Sequence, residues 1–64
     1  MNANKIKKQM ELLGMSQKDL ARETGLTESA ISRFINGTRQ PRLYNLIKIA
    51  DALEMTVDEL VRED

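Results

Sequence analysis

The side chains of this sequence that could do chemistry are few in kind. Its 64 residues include no histidine and no cysteine. That removes imidazole and thiolate metal sites, histidine acid–base work and thiol nucleophiles. Carboxylates, hydroxyls, amides and cations remain, and their sharpest grouping lies in GLTESAISRFING, residues 25–37. At helical spacing, Ala30, Ile31, Phe34 and Ile35 fall on one side and Glu28, Ser29, Ser32, Arg33 and Asn36 on the other. A helix that needs only solubility carries a Lys/Glu ladder. This mixed face instead offers acceptors, hydroxyls and one guanidinium to a polar surface. The other carboxylates are scattered along candidate helices, and so small a chain has little room for a pocket, so no enzyme, cofactor or metal is expected.

The formal net charge is zero, but the charges are segregated. Residues 29–50 carry Arg33, Arg39, Arg42 and Lys48 with no acid, whereas residues 51–64 carry Arg62 against Asp51, Glu54, Asp58, Glu59, Glu63 and Asp64. Such a dipole can present one cationic face, as phosphate binding requires. It also fits a plainly solvated acidic tail. Lys5, Lys7, Lys8 and Lys18 read best as a solvated face that adds long-range attraction. No apolar run approaches the ~20 residues of a membrane span and no leader pattern is present, so a soluble, cytoplasmic protein is the default expectation.

The elements that must position the mixed face are signalled by capping chemistry. MSQKDL (15–20), LTESAI (26–31) and MTVDEL (55–60) each place an apolar residue before a Ser or Thr and another four positions after it. That is an N-cap with a hydrophobic staple, and Asp19 and Glu59 complete capping boxes in the first and third. Gly14, Gly25 and Gly37 mark helix ends. Leu43, Leu46, Ile47, Ile49, Ala50 and Leu53 mark a fourth helix, and Met10, Met15 and Met55 occupy apolar-pattern positions that suit core filling. The expected fold is all-α, one domain over 1–64, a compact five-helix bundle with helices near 3–13, 16–24, 27–36, 42–53 and 56–62. Only Gly25, Leu26 and Thr27 join the second and third helices, too short for an antiparallel pair and right for the steep crossing of a helix-turn-helix. Ala21 is small where the two cross, and Leu20, Leu26, Ile31 and Phe34 fill the wedge.

These residues resemble the Cro/repressor (Xre-type) helix-turn-helix family, of lambda-repressor-like fold. The likeness runs from IKKQMELLGMSQKDLA through ISRFINGTRQP to LIKIADALEMTVDEL. One departure is Arg42, where relatives often place Ser or Thr to cap the fourth helix. The expectation is that the cap moves to Gln40 with Pro41 at the first helical position, which frees Arg42 for a phosphate.

The resemblance implies that the helix 27–36 enters the DNA major groove and that Glu28, Ser29, Ser32 and Arg33 read bases. Arg33 can pair with guanine, and Glu28 can accept from a cytosine or adenine amine. Glu28 at the helix start also suits the dipole, Ser29 suits a base or a phosphate, and Ser32 also suits simple close approach. Gln17 resembles the family's phosphate-binding glutamine, and Asn36, Thr38, Arg39 and Arg42 would grip the backbone across the groove. Tyr44 is open between phosphate contact, dimer contact and packing.

A single reader covers too little duplex for selectivity, so a homodimer on a palindromic operator is expected, with Met55, Val57 and Val61 as candidate dimer contacts. The leading function is a transcriptional regulator, most often a repressor in this family. The alternative is a protein-interaction module, antitoxin-like or an anti-regulator, that uses the helix-turn-helix as a scaffold. At this length no separate sensing domain is expected, so control would come from concentration, a partner or proteolysis.

Overall fold

The computed structural model describes residues 1–63. Five helices follow in order: α1 (Ala3–Leu13), α2 (Gln17–Thr24), α3 (Glu28–Asn36), α4 (Leu43–Ala52) and α5 (Val57–Val61). Three start where the capping pattern requires. Ser16 Oγ accepts from the Asp19 amide at 3.1 Å while Asp19 accepts from the Ser16 amide at 3.0 Å. Thr27 Oγ1 accepts from the Ala30 amide at 3.0 Å. Thr56 and Glu59 repeat the reciprocal pair at 3.1 and 3.0 Å. Behind each cap stands its staple: Met15, Leu26 and Met55 are half-buried against the core, and Leu20, Ile31 and Leu60 are fully buried.

Several boundaries differ from the expectation by a residue. The expected ranges for α2, α3 and α5 begin at the capping residue itself, which has extended backbone and lies outside the helix. At α4 the N-cap is Arg42, with no side-chain cap hydrogen bond, so the expected shift to Gln40 does not occur. Pro41 is buried, and the helix begins only at Leu43. At the other end no glycine is present. Glu54 takes the left-handed conformation (φ 58°) that Gly25 and Gly37 take after α2 and α3. The Met55 amide then reaches back to the Ala50 carbonyl at 2.8 Å, the bond that closes a Schellman turn.

The core is built from one face of every helix: Ile6 and Met10, Leu20 and Ala21, Ile31, Phe34 and Ile35, Ile49 and Ala50, then Leu53 and Leu60. α3 packs on α1 and α2, α2 also on α4, and α5 on α4. Ala21 is buried at the α2–α3 crossing, and its carbonyl accepts the Leu26 amide at 3.1 Å, which turns the chain into α3. Thr24, the one buried polar residue among the described residues, donates to the Leu20 carbonyl at 2.8 Å and accepts from Leu26, so its burial leaves nothing unpaired.

A clasp between the two ends was not legible in the sequence. Asn2 caps α1 through Oδ1, its amide donates to the Leu60 carbonyl at 2.8 Å, and its Nδ2 donates to the Arg62 carbonyl at 2.9 Å. Gln9 adds a 2.8 Å bond to the Leu53 carbonyl, and Lys5 one of 3.3 Å to the Glu59 carbonyl. Lys5 therefore ties α1 to α5 and does not belong to a merely solvated face. Met1 also packs on the core, alongside the methionines expected there.

Two predictions test this account. Replacing Ala21 with Leu should destabilise the fold by about 1–3 kcal/mol through overpacking of the crossing. A thermal melt that does not move would remove the crossing as the reason for a small residue. The second concerns acid. Asp19 is held below the ordinary carboxylate range, first by the Ser16 amide and then by the Ser16 side chain, and Glu59 likewise by Thr56. A carboxyl with a depressed folded pKa stabilises the fold above its unfolded pKa, and that contribution is lost as pH falls through the folded value. Melting temperature should therefore drop as pH falls below about 4, and an Asp19→Asn/Glu59→Gln double variant should start lower at neutral pH and drop less.

Candidate nucleic-acid interface

The polar strip of α3 is exposed as the sequence pattern requires. Glu28 and Ser29 stand at its first two positions, Arg33 one turn on and Asn36 at its end, all exposed, with Ser32 half-buried between them. The Asn36 amide lies 3.5 Å from Ser32 Oγ, so these two are neighbours along the strip. Opposite them Ile31, Phe34 and Ile35 are buried. The helix is thus anchored by its apolar side and presents the other.

The turn after α3 is held tightly. The Arg33 carbonyl accepts the Thr38 amide at 3.0 Å, the Arg39 amide at 3.3 Å and the Thr38 hydroxyl at 3.3 Å. Thr38 therefore has a structural task, and its hydroxyl keeps only acceptor capacity for anything outside. Gly37 takes φ 76°, a left-handed conformation that a side chain would strain. Together these contacts fix the backbone of the turn that leads to Arg39.

Arg39 and Arg42 meet around a polar cleft of about 380 Å³ that Phe34, Gln40, Pro41 and Asn45 also line. Gln40 was read only as a helix cap, and Asn45 was missed because it belongs to no local motif; the structure sets both on the cleft with the arginines. Gln17 lies elsewhere, on an open groove of about 530 Å³ with Lys7, Gly14, Met15 and Ile35. The expected backbone-gripping residues thus lie in two separate places, Gln17 on this groove, where Lys7 joins it, and Arg39 with Arg42 at the cleft.

The electrostatic setting favours an anion. The ion pairs Arg22–Asp19 (2.7 Å) and Arg62–Asp58 (2.9 Å) lie outside the strip. Arg33, Arg39 and Arg42 pair with no acid among the described residues, and neither does Glu28 with a cation. The acidic end rides on α5, which packs on α4, while α3 packs on α1 and α2, so the strip is left open. Among the described residues no cluster of His, Cys, Asp or Glu is arranged to hold a metal, and no helix is long and apolar enough to cross a membrane.

The candidate dimer contacts differ in exposure. Met55 and Val57 are half-buried against their own core, and Val61 is 40% exposed. Met55 is withdrawn because it is the staple residue before the α5 cap. The larger bare apolar area is on α4, where Leu43 is 65%, Tyr44 70% and Ile47 44% exposed. Leu43 and Ile47 carry the apolar periodicity that marks the helix, yet they lie off the face that Leu46, Ile49 and Ala50 turn inward. Tyr44 does not pack inward either; the Lys48 ammonium sits 4.5 Å from its ring centroid.

Comparison with known proteins agrees with this geometry. A family model described as helix-turn-helix matches residues 6–60. The chain is 34% identical over 56 residues to the cryptic phage CTXphi transcriptional repressor RstR of Vibrio cholerae, covering 88% of this chain and 50% of that protein. It is 42% identical over 43 residues to the uncharacterized HTH-type transcriptional regulator y4dL of Sinorhizobium fredii, covering 67% of this chain and 22% of the regulator. A third match, 36% over 45 residues, falls within 2% of the replication factor C small subunit of Methanocaldococcus jannaschii, too small a share to bear on that protein's work. The chain therefore spans about half the length of the repressor and less of the others. No solved structure matches it. With five helices, a three-residue turn between α2 and α3 and a match over residues 6–60, the chain belongs to the helix-turn-helix family, in its Cro/repressor (Xre) type.

Proposed function

We propose that the chain is a sequence-specific double-stranded-DNA-binding transcriptional regulator, a repressor, that binds a palindromic operator as a homodimer. The observation that carries this reading is the exposed polar strip of α3 beside Arg33, Arg39 and Arg42, none of them neutralised by an acid of the described chain. Laid in the major groove, Arg33 can donate two hydrogen bonds to guanine O6 and N7, and Glu28 can accept from a cytosine or adenine amine. Ser29 and Ser32 are short enough to let the backbone approach the base edges. Glu28 repels phosphates wherever it finds no amine, which contributes discrimination more than affinity.

Phosphates on one side of the groove fall to Gln17, with Lys7 beside it, and on the other to Arg39 and Arg42, with Asn36 and Thr38 at the turn. The likeness to a protein named a transcriptional repressor supports repression. Two-fold operators with half-sites about 34–36 Å apart suit a dimer of such readers. A duplex-DNA reader works where the genome is, which supports a cytoplasmic site of action. The scattered carboxylates and the family likeness both speak against an enzyme, and no cofactor is needed to read DNA.

The test is the salt dependence of duplex binding. If each protomer neutralises three or four phosphates, the log–log slope for the dimer should be about −5 to −7. A slope near zero would favour the protein-interaction module instead. Within that assay Arg33→Ala should cost about 1–3 kcal/mol and relax preference at one base pair per half-site. Arg39→Ala should weaken all sequences alike and flatten the slope by about one per protomer. Identical behaviour of the two variants would overturn the division into a base reader and a phosphate clamp.

A further inference from the structure

The bare apolar face of α4 has an ordered charge pattern. At about 100° per residue, Leu43, Tyr44, Ile47 and Asp51 lie opposite the buried Ile49, with Leu46 and Ala50 turned inward beside them, and all four are exposed. Lys48 follows Ile47, with its ammonium folded back over the Tyr44 ring. Asp51 stands at the carboxyl end, with Glu54 just beyond the helix. The Lys48 ammonium thus lies over the amino-terminal half of the face, at Tyr44, while the acids lie at its carboxyl end.

A face with that polarity is complementary to itself when turned end for end. About a two-fold axis at Ile47, position 43 of one copy lies opposite position 51 of the other. The Lys48 ammonium, held over Tyr44, then faces Asp51 of the second copy. A parallel arrangement would set like charges together. The α5 end lacks this complementarity: around Val61 the acids Asp58, Glu59 and Glu63 stand against the single cation Arg62, which is already paired with Asp58. We propose that this face of α4 docks a second copy of the same chain, antiparallel, with the axis at Ile47. The proposal rests on the dimeric reading above and names its contact surface.

Leu43, Tyr44 and Ile47 together expose on the order of 350 Å² per protomer. With the charged rim, two such faces would bury roughly 1,000 Å², the low end for a specific interface. The free dimer is therefore weak, and an operator carrying two half-sites raises its population.

The lack of native cysteine permits a direct test without DNA. Ile47→Cys and Val61→Cys each introduce one thiol, and a disulfide between copies requires Cα atoms within about 7 Å. Under a mild oxidant at equal concentration, Ile47→Cys should form disulfide-linked dimer about tenfold faster than Val61→Cys. Equal rates, or the reverse order, would overturn the α4 face.

A second arm uses charge reversal, followed by sedimentation equilibrium. Lys48→Glu and Asp51→Lys should each weaken dimerisation at least about threefold, and the double reversal should return it to within about twofold of the parent. Additive losses in the double variant would equally overturn the pairing. Circular dichroism of each variant separates lost docking from lost folding. Since neither arm contains DNA, failure of duplex binding leaves these results standing, and a chain monomeric at all concentrations overturns the α4 contact without touching the α3 reading.

Discussion

The close crossing of α2 and α3 is the constraint from which the rest follows. Only three residues separate the helices, so the angle between them is set by what fits at their contact. Ala21 fits because it brings little more than a methyl group, and its carbonyl receives the Leu26 amide as the chain turns. Thr24 fits because its hydroxyl returns a hydrogen bond to its own helix and takes one from the turn. With that wedge closed by Leu20, Ile31 and Phe34, α3 has no freedom to roll. Its polar strip faces outward because its apolar side has only one place to go.

In so small a bundle the capping bonds carry an unusual share of that order. A domain of this size buries a modest fraction of its chain, and each of five short helices leaves unpaired groups at both ends. Here the caps do two things at once. Met15, Leu26 and Met55 use the residue before the cap to seal the core edge, and Asn2 uses its cap position to join α1 to the chain beyond α5. The dependence on Asn2, Gln9 and Lys5 makes the two ends of the described chain one structural unit, remote from the strip they help to steady.

Charge segregation gives the molecule its direction. The acids gather on α5 and the end of α4, while the arginines of α3 and the following turn lie free of them. A net charge of zero thus conceals a field with two ends. The same segregation recurs on the single outer face of α4, where it makes that face its own complement and leaves the reading strip free. DNA and a second copy would then use different sides of one dipole.

Local chemistry decided how much could be read without coordinates. A Ser or Thr followed three residues later by an acid, a glycine where the chain must turn left-handed, and apolar residues at helical spacing each act over a few residues. The five helices, the short turn and the outward face of Glu28, Ser29, Ser32 and Arg33 were therefore legible in the sequence alone. The missing glycine after α4 and the missing hydroxyl before it were ambiguous, and there the expected boundaries slipped. Only the tertiary structure decided which residues distant in sequence meet: Asn2 with Leu60 and Arg62, Gln9 with Leu53, Lys7 with Gln17 on one groove. It also decided that Leu43 and Ile47 stay bare while Met55 does not. Periodicity marks an apolar side chain without saying whether a neighbouring helix will be there to cover it, because covering depends on how all five helices pack at once.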